Sequence, residues 1–351
     1  MININKSKPV MVTGATGYLA GWIIKLLLQN DITVHATVRD PNNKEKLKYL
    51  DELAKNLKGN IVYYKADLLE KHSFDEAAKK CELIFHTASP FTNTVKDPQK
   101  ELIDPALQGT INVLEAVNKS DSVKRVVLTS SIAAIMGDNK DLVKLPDNMA
   151  SENHWNTSST LSHQPYSYSK TLAEKEAWKI NKTQKKWQLV VINPVLVLGP
   201  GISPQISSES FKLMKQLGDG SMKIGVPNFE IGIVDVREVA QAHFNAGFMP
   251  EAEGRHIICA EPKSFLQIAN LIRDDFGDKL LLPNRNLPKC LVWLAAPTVG
   301  VKRRMVARNM GYKIKIDNTK SIEKLGIKYR PVKETLIDFF SQMYENGAFN
   351  K

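Results

Sequence analysis

The sequence predicts an α/β fold, a doubly wound parallel sheet accompanied by a smaller, discontinuous lobe. Seven short apolar runs rich in β-branched residues alternate with helical patterns over residues 9–260. A glycine-rich turn also joins the first of these runs to the first helical pattern. Near-continuous apolar strands separated by helices are typical of a parallel sheet covered on both faces. Because the crossovers in such sheets are right-handed, the helices must cover both sides.

The predicted elements follow one another in regular alternation. The apolar runs place strands at 9–13, 32–38, 61–66, 83–87, 125–130, 188–193 and 255–260. The helical patterns lie at 19–29, 43–57, 73–80, 101–119, 166–181 and 236–248. Beyond residue 195 the alternation stops, and glycine and proline become frequent. We therefore predict a large domain of residues 1–198 and 233–260, and a substrate-binding lobe of residues 199–232 and 261–351.

The composition argues against several classes of partner. The net charge is +11, but the lysines appear spread along helix surfaces, so we expect solvated charge and no nucleic-acid partner. Three distant cysteines and seven unclustered histidines predict no metal site and a reducing, cytoplasmic location. No signal-peptide pattern is visible, and the apolar stretch 290–301 is too short to span a bilayer. We expect a buried helix there and no membrane partner, with peripheral membrane contact of this stretch as the alternative, and a monomer or homodimer.

The glycine-rich turn TGATGYLA (13–20) has the features of a dinucleotide-binding turn. Gly14 permits a tight turn after the strand, and Gly17 lets the backbone approach a pyrophosphate closely. Ala20 is small enough for close packing of the helix against the sheet. The phosphates would then lie at a helix N-terminus, which favours negative charge. Taken alone, the same glycines could simply join a strand to a helix.

The ends of the next strands predict how the adenosine part of such a cofactor would be held. Arg39 follows the second strand where NAD-binding sites usually carry an acidic residue, which favours a ribose 2′-phosphate and hence NADPH. Two alternatives remain: the neighbouring Asp40 could act as the acidic residue of an NAD site, or Arg39 could be a surface residue without a ligand. Asp67 follows the third strand, where it could accept from an adenine amino group or cap a helix. Small residues end the fourth strand in HTASPF (86–91).

Tyr166 and Lys170 are the predicted proton-transfer residues. They are four positions apart in QPYSYSK (164–170), so a helix places them on one face. A nearby ammonium favours the phenolate, and we therefore expect Lys170 to lower the pKa of Tyr166. Tyr168 would face away on the same helix. Ser131, which follows the fifth strand in LTSS (128–131), is placed to hold a substrate carbonyl, with Ser130 as the alternative.

Together these motifs resemble a known family, the extended short-chain dehydrogenase/reductases. TGATGYLA, VRDP, ADLL, HTASP, LTSS, YSYSK and INPVLVLGP carry the resemblance, which covers nearly the whole chain. It is strongest to the group of dihydroflavonol reductases, cinnamoyl-CoA reductases and aldehyde/ketone reductases. The resemblance implies a Rossmann fold and an NADP(H)-dependent oxidoreductase acting on CH–OH or C=O groups.

The resemblance also implies roles for individual residues. Ser131, Tyr166 and Lys170 would form the catalytic triad, and Arg39 and Lys46 would bind the 2′-phosphate. The stretch from Pro194 to Val197 would lie beside the nicotinamide carboxamide. The residues predicted to contact the cofactor are Gly14, Thr16, Gly17, Tyr18, Leu19, Arg39, Lys46, Asp67, Leu68, Thr87, Ala88, Ser89, Thr129, Tyr166, Lys170, Pro194, Val195, Val197 and Ser208.

Two departures from the family pattern leave the substrate open. Met136 stands where the plant flavonoid enzymes carry an asparagine, and QPYSYSK differs from the NWYCYGK-like stretch of cinnamoyl-CoA reductases. We expect a small apolar or aromatic aldehyde or ketone that contacts Phe91, Ser131, Met136 and Tyr166. Other candidates for the pocket wall are Ser89, Pro90, Tyr168, Ile202, Phe211 and Phe229.

Two other functions are compatible with the same motifs. A nucleotide-sugar epimerase or dehydratase would use the same tyrosine and lysine but retain its NAD, and Arg39 argues against it. A non-catalytic NADP-binding scaffold or sensor typically lacks the tyrosine or the lysine, and this chain has both.

Overall fold

The computed structural model describes residues 1–89, 96–203 and 208–349, and within them it contains fourteen β-strands and thirteen α-helices. The strands are β1 (Val10–Val12), β2 (Val34–Val38), β3 (Ile61–Lys65), β4 (Leu83–His86), β5 (Arg125–Thr129), β6 (Met149–Ala150), β7 (Gln188–Pro194), β8 (Leu196–Leu198), β9 (Val226–Pro227), β10 (Glu230–Asp235), β11 (Gly254–Ile258), β12 (Glu261–Ser264), β13 (Asn286–Leu287) and β14 (Lys315–Ile316). The helices are α1 (Tyr18–Gln29), α2 (Lys44–Asn56), α3 (Asp75–Ala78), α4 (Asp104–Lys119), α5 (Pro165–Lys182), α6 (Glu209–Gly218), α7 (Val236–Phe248), α8 (Phe265–Leu271), α9 (Arg273–Phe276), α10 (Lys289–Ala295), α11 (Arg303–Asn309), α12 (Thr319–Leu325) and α13 (Val332–Glu345).

The central sheet has seven strands in the order β11-β7-β5-β4-β1-β2-β3. Every neighbouring pair in it is parallel. The seven strands are the seven that the apolar runs predict, so the predicted fold class is confirmed. The strand order reverses between β1 and β4, and at this position a doubly wound sheet leaves a crevice for a ligand.

Helices cover both faces of this sheet, as the double winding requires. Apolar residues of α1, α2 and α7 pack on one face in a continuous cluster that includes Ile23, Leu27 and Val239. Apolar residues of α3, α4 and α5 pack on the other face, among them Val113 and Ala177. Because both faces are dry, the central strands are apolar along their whole length rather than alternating.

Two predicted helices have different bounds in the structure. The helix expected at 73–80 is reduced to the four residues of α3, because the backbone has positive φ at His72 and at Lys80. Such a conformation interrupts a right-handed helix at both ends. The helix expected at 101–119 begins with a π-helical turn, Gln99–Ile103, that leads into α4.

A second, smaller sheet lies next in the chain and joins β8, β10 and β12. β10 runs parallel to β8 and antiparallel to β12. A separate apolar cluster that includes Met214, Leu217, Phe265, Phe339 and Phe340 packs α6, α8 and α13 around this region. This cluster would be the core of the predicted lobe, whose residue boundaries stay a prediction.

The apolar stretch 290–301 is not a buried helix, and that prediction is wrong. α10 has no buried residue, and its Val292 is only partly buried against Ala296, Val306 and Met310. A helix of seven residues offers too little area to bury all its apolar side chains against one neighbouring helix. Within the described ranges, no helix has the length and apolar character needed to cross a membrane.

Candidate active site

The glycine turn after β1 forms an open helix N-terminus. Gly14 has a φ of +65°, and a Cβ built there would lie 3.0 Å from the Cβ of Ala88. Gly17 is the N-cap of α1, whose first turn has no side-chain cap and no acidic residue. The free N–H groups of this turn are therefore available to an anion. The turn fits the pyrophosphate of a dinucleotide.

Thr13 fixes this turn against the end of β4. Its hydroxyl accepts hydrogen bonds from the backbone N–H groups of Thr87 (3.1 Å) and Ala88 (3.0 Å). The Thr87 hydroxyl in turn donates to the carbonyl of Thr13 at 2.5 Å. The two strands that flank the switch point are thus joined directly beyond their hydrogen-bonded ladder. The HTAS segment (86–89) therefore lies beside the glycine turn.

The residues predicted for the adenosine end lie on the exposed rim of the sheet. Arg39 follows β2 directly and is exposed, and in the described part of the chain it takes part in no ion pair. Lys46 is exposed on α2, whose N-cap is Asn43. Two uncompensated basic groups in this place fit a 2′-phosphate. Asp67 accepts from the backbone N–H of Leu69 at 2.9 Å, so one of its two oxygens is used in a turn.

Tyr166 and Lys170 lie one turn apart on α5, as predicted. The helix begins with Pro165, and the preceding Gln164 has the left-handed conformation with a φ of 56°. The Nζ of Lys170 lies 5.9 Å from the centre of the Tyr166 ring and donates to the Ser89 hydroxyl at 2.9 Å. Tyr166 also interacts through a side-chain hydrogen bond with Ser131.

The pKa of Tyr166 is shifted in the direction opposite to the expectation that Lys170 lowers it. Tyr166 lines the cleft and is 41% exposed as a whole residue, but burial of its hydroxyl raises the pKa of that group to about 12. The hydrogen bond with Ser131 acts in the lowering direction but is the weaker influence. Burial also lowers the pKa of Lys170 to about 8, against the opposing charge of Glu174. Burial is therefore the largest influence on the pKa of both groups.

The structure distinguishes the two candidate serines. The Ser130 hydroxyl is buried and donates to a carboxylate oxygen of Glu174 at 2.5 Å. The Ser131 hydroxyl accepts from the backbone N–H of Ala133 at 3.2 Å and lines the cleft beside Tyr166. Both serines line the cleft, but the Ser130 hydroxyl is engaged in a buried hydrogen bond, so Ser131 stays the predicted carbonyl-binding serine.

The cleft above these residues has a volume of about 720 Å³. Its wall includes the following residues predicted for the cofactor or the substrate: Leu19, Thr129, Ser131, Met136, Tyr166, Lys170, Pro194, Val195 and Val197. Phe229, another residue predicted for the pocket wall, lies there too, and Ile231, Ile314 and Ile316 add apolar surface. A cleft of this size and character suits a small apolar ligand with a few polar contacts.

Several predicted residues lie elsewhere. Phe91 and Pro90 are outside the described residues. Tyr18 donates from its hydroxyl to the carbonyl of Gly199 at 2.5 Å, and Phe211 packs edge-on against the Tyr18 ring. Ser208 is the N-cap of α6. Three further candidates for the pocket wall are not part of the described cleft wall: Tyr168, Ile202 and Phe211.

One buried network at the cleft has no counterpart in the predictions. Asp138 is fully buried and accepts from the side chains of His163, Gln164, Arg308 and Asn309. Hydrogen bonds from these groups keep the pKa of Asp138 below its usual range despite burial. The network connects the loop after Ser131, the start of α5 and the helix α11. No motif marks it, because its members are far apart in sequence.

The comparison with known proteins defines the class of protein. Residues 10–256 match the NAD dependent epimerase/dehydratase family. The match covers more than half of the chain, so the chain belongs to this family, that of the extended short-chain dehydrogenase/reductases. The predicted resemblance is confirmed.

Individual relatives are reductases. Cinnamoyl-CoA reductase CAD2 of Medicago truncatula is 38% identical over 100% of both chains, and an anthocyanidin reductase of Arabidopsis thaliana is 37% identical over 76% of this chain and 80% of its own. The solved structure of yeast methylglyoxal/isovaleraldehyde reductase Gre2 complexed with NADPH superposes with a TM-score of 0.78 at 30% identity, covering 97% of this chain and 99% of Gre2. These relatives confirm the predicted enzyme class, an NADP(H)-dependent oxidoreductase acting on C=O groups.

Proposed function

We propose that this protein is an NADPH-dependent carbonyl reductase that transfers hydride to a small apolar or aromatic aldehyde or ketone. The observation that supports the proposal most directly is the convergence of Ser131, Tyr166 and Lys170 on one apolar cleft. The relatives with matching length are reductases of carbonyl compounds by name. A cytoplasmic location and a monomeric or homodimeric state stay predictions.

Each side chain has a distinct part in the proposed reaction. NADPH, when bound, supplies the hydride that adds to the carbonyl carbon. Ser131 donates a hydrogen bond to the carbonyl oxygen and orients it toward Tyr166. Tyr166 is protonated at neutral pH because its pKa is about 12, so it delivers the proton as negative charge develops on that oxygen. Lys170 in its charged form stabilises the resulting phenolate and holds the ribose hydroxyls.

The side chains that surround the cleft favour a small, neutral substrate. Met136 and Phe229 line the cleft on two sides, and Ile231 and Ile314 extend its apolar surface. Ser131, Tyr166 and Lys170 contribute polar groups to the same wall. Such an arrangement holds an aromatic or branched aliphatic group by contact and leaves orientation to Ser131 and Tyr166.

The activity is tested by following the absorbance of NADPH and of NADH, in parallel, with aromatic aldehydes, aliphatic ketones and diketones. We expect oxidation of NADPH with at least one member and much slower oxidation of NADH. No oxidation with either nucleotide, together with NAD that remains bound through purification, would contradict the proposal and support an epimerase or dehydratase. Binding of NADPH without any turnover would support a scaffold or sensor.

We expect the substitution Arg39→Ala to weaken NADPH selectively. Loss of a charge-assisted contact with the 2′-phosphate should cost about 1.5–3 kcal/mol, which corresponds to a rise in KM for NADPH of roughly 10- to 100-fold. The KM for NADH, which lacks that phosphate, should change little. Lys48→Ala is the control, because Lys48 is another exposed base on α2. An unchanged ratio of the two KM values would show that the phosphate is held elsewhere.

We also expect reduction to fail at high pH because Lys170 loses its charge. The pKa of Lys170 is lowered to about 8, whereas that of Tyr166 is raised to about 12. Below about pH 8 both groups are protonated, and kcat/KM for the carbonyl should be constant; above it, kcat/KM should fall by about tenfold per pH unit. In Lys170→Arg the guanidinium keeps its charge, so the decline should disappear even if the rate is lower. The same decline in both proteins would exclude Lys170 as its origin.

A further inference from the structure

Most of the net positive charge of the chain falls in one segment. Between residues 279 and 316 the sequence contains nine lysine or arginine residues and no aspartate or glutamate. The nine are Lys279, Arg285, Lys289, Lys302, Arg303, Arg304, Arg308, Lys313 and Lys315. The basic residues are thus less evenly spread along the chain than we expect from the distribution of the lysines. Of these nine, only Arg308 takes part in an ion pair with any residue that the structure describes.

The same segment exposes large apolar side chains. Leu291 is 55% exposed, Leu294 58% and Val299 73%, and Trp293 and Val301 are also exposed. They lie on α10 and on the 3₁₀ turn Ala296–Val299 with the residues that follow it. Scattered exposed apolar residues are ordinary, but five of them within eleven positions form a patch that needs an explanation.

Basic and apolar groups are combined at this patch. Lys302, Arg303 and Arg304 are all exposed and follow Val301 directly. The guanidinium of Arg303 lies 4.4 Å from the centre of the Trp293 ring, which joins the basic turn to the apolar helix. We define the docking surface as Leu291, Trp293, Leu294, Val299, Val301, Lys302, Arg303 and Arg304.

We propose that this docking surface binds the surface of an anionic lipid bilayer. Apolar side chains flanked by lysine and arginine are the combination with which interfacial helices insert between headgroups and attract anionic lipids. α10 is about 10 Å long, which allows contact with a membrane but not passage through it. The docking does not depend on the proposed activity.

Charge complementarity favours a lipid surface over a second copy of the chain. In a two-fold symmetric dimer the same patch would face itself, which would oppose the basic groups of both copies. Like charges opposed across an interface are unfavourable, and the unpaired bases here have no acidic neighbour within their own segment. Anionic headgroups neutralise these bases while the acyl boundary accepts Leu291 and Leu294.

The docking surface also adjoins the cleft. α11 begins at Arg303, and two of its later residues, Met305 and Asn309, line the cleft wall. A protein docked through this surface would therefore hold the cleft close to the membrane.

The proposal is tested by flotation of the purified full chain with vesicles. Vesicles of phosphatidylcholine with about 30 mol% phosphatidylserine are compared with phosphatidylcholine alone, at roughly 50 mM and 500 mM NaCl. We expect binding to the anionic vesicles at low salt, at least tenfold weaker binding at high salt, and little binding to neutral vesicles. Absence of binding to anionic vesicles at low salt would overturn the proposal, and self-association of the chain in its place would identify a protein interface.

Two double variants separate the two kinds of contact. Arg303→Glu with Arg304→Glu should weaken binding by roughly tenfold or more, because each base near the surface contributes about fivefold. Leu291→Glu with Leu294→Glu should also abolish binding. The matched controls are Lys182→Glu with Lys185→Glu, and Ile322→Glu, which change exposed residues outside the segment. An equal loss of vesicle binding in the control variants would overturn the proposal. Reduction of a water-soluble aldehyde by the docking variants is measured separately and tests the proposed function.

Discussion

The substitution Tyr166→Phe is expected to lower kcat for carbonyl reduction by about 10²- to 10⁴-fold. The change removes one oxygen atom from a side chain that lines the cleft and hydrogen-bonds with Ser131. Because phenylalanine keeps the ring, the shape of the cleft and the start of α5 should be preserved. The dissociation constant for NADPH, measured by fluorescence titration, should therefore change by no more than about threefold.

Tyr168→Phe is the matched control for this prediction. It makes the same chemical change two positions further along α5, at a side chain outside the described cleft wall. We expect near-normal kcat for this variant. A Tyr166→Phe protein with unchanged turnover, or a Tyr168→Phe protein with the larger loss, would mean that Tyr166 is not the proton donor.

The sequence was sufficient to predict the central sheet because local and global requirements agree there. The inner strands are buried on both faces, so their apolar runs are nearly uninterrupted and bounded by polar turns, whereas β3 at the sheet edge is only partly buried. The glycine turn could be predicted equally well, because the left-handed φ at Gly14 and the close approach of Ala88 both exclude a side chain at that position. The four-residue spacing of Tyr166 and Lys170 needed only a helix to bring them together.

The remaining features depend on contacts that the sequence does not display. The pKa of Tyr166 is set by the depth of its hydroxyl in the cleft, and burial is a property of the folded chain. The network around Asp138 brings together residues that are up to 171 positions apart. α10 reads as a core helix by composition, but none of its residues is buried in the part of the chain that the structure describes.

The carboxylate of Glu174 connects the structural and the catalytic parts of the molecule. It is buried and accepts from Ser130 (2.5 Å), Asn193 (2.8 Å) and the guanidinium of Arg255 (2.6 Å). Asn193 also donates to the backbone carbonyl of Ser131 at 3.1 Å. One side chain on α5 thus connects residues of β7 and β11 with the loop that carries Ser131, the serine proposed to bind the carbonyl.

We expect the substitution Glu174→Leu to lower the free energy of unfolding by about 3–5 kcal/mol, measured by urea denaturation. Leucine fills much of the same volume, so the main loss is the uncompensated guanidinium of Arg255, which is itself buried. Replacing both members, in Glu174→Leu with Arg255→Met, removes that charge as well and should restore stability to within about 1 kcal/mol of the original protein.

A matched control lies on the same helix. Glu176 pairs with Lys179 at 3.0 Å, but that lysine is largely exposed, so Glu176→Ala should cost less than about 1 kcal/mol. If the double variant were as unstable as Glu174→Leu, the loss would arise from the broken hydrogen bonds to Ser130 and Asn193 rather than from the unpaired charge. In that case the reductase activity of the double variant should also stay low, because the loop bearing Ser131 would have lost the same support.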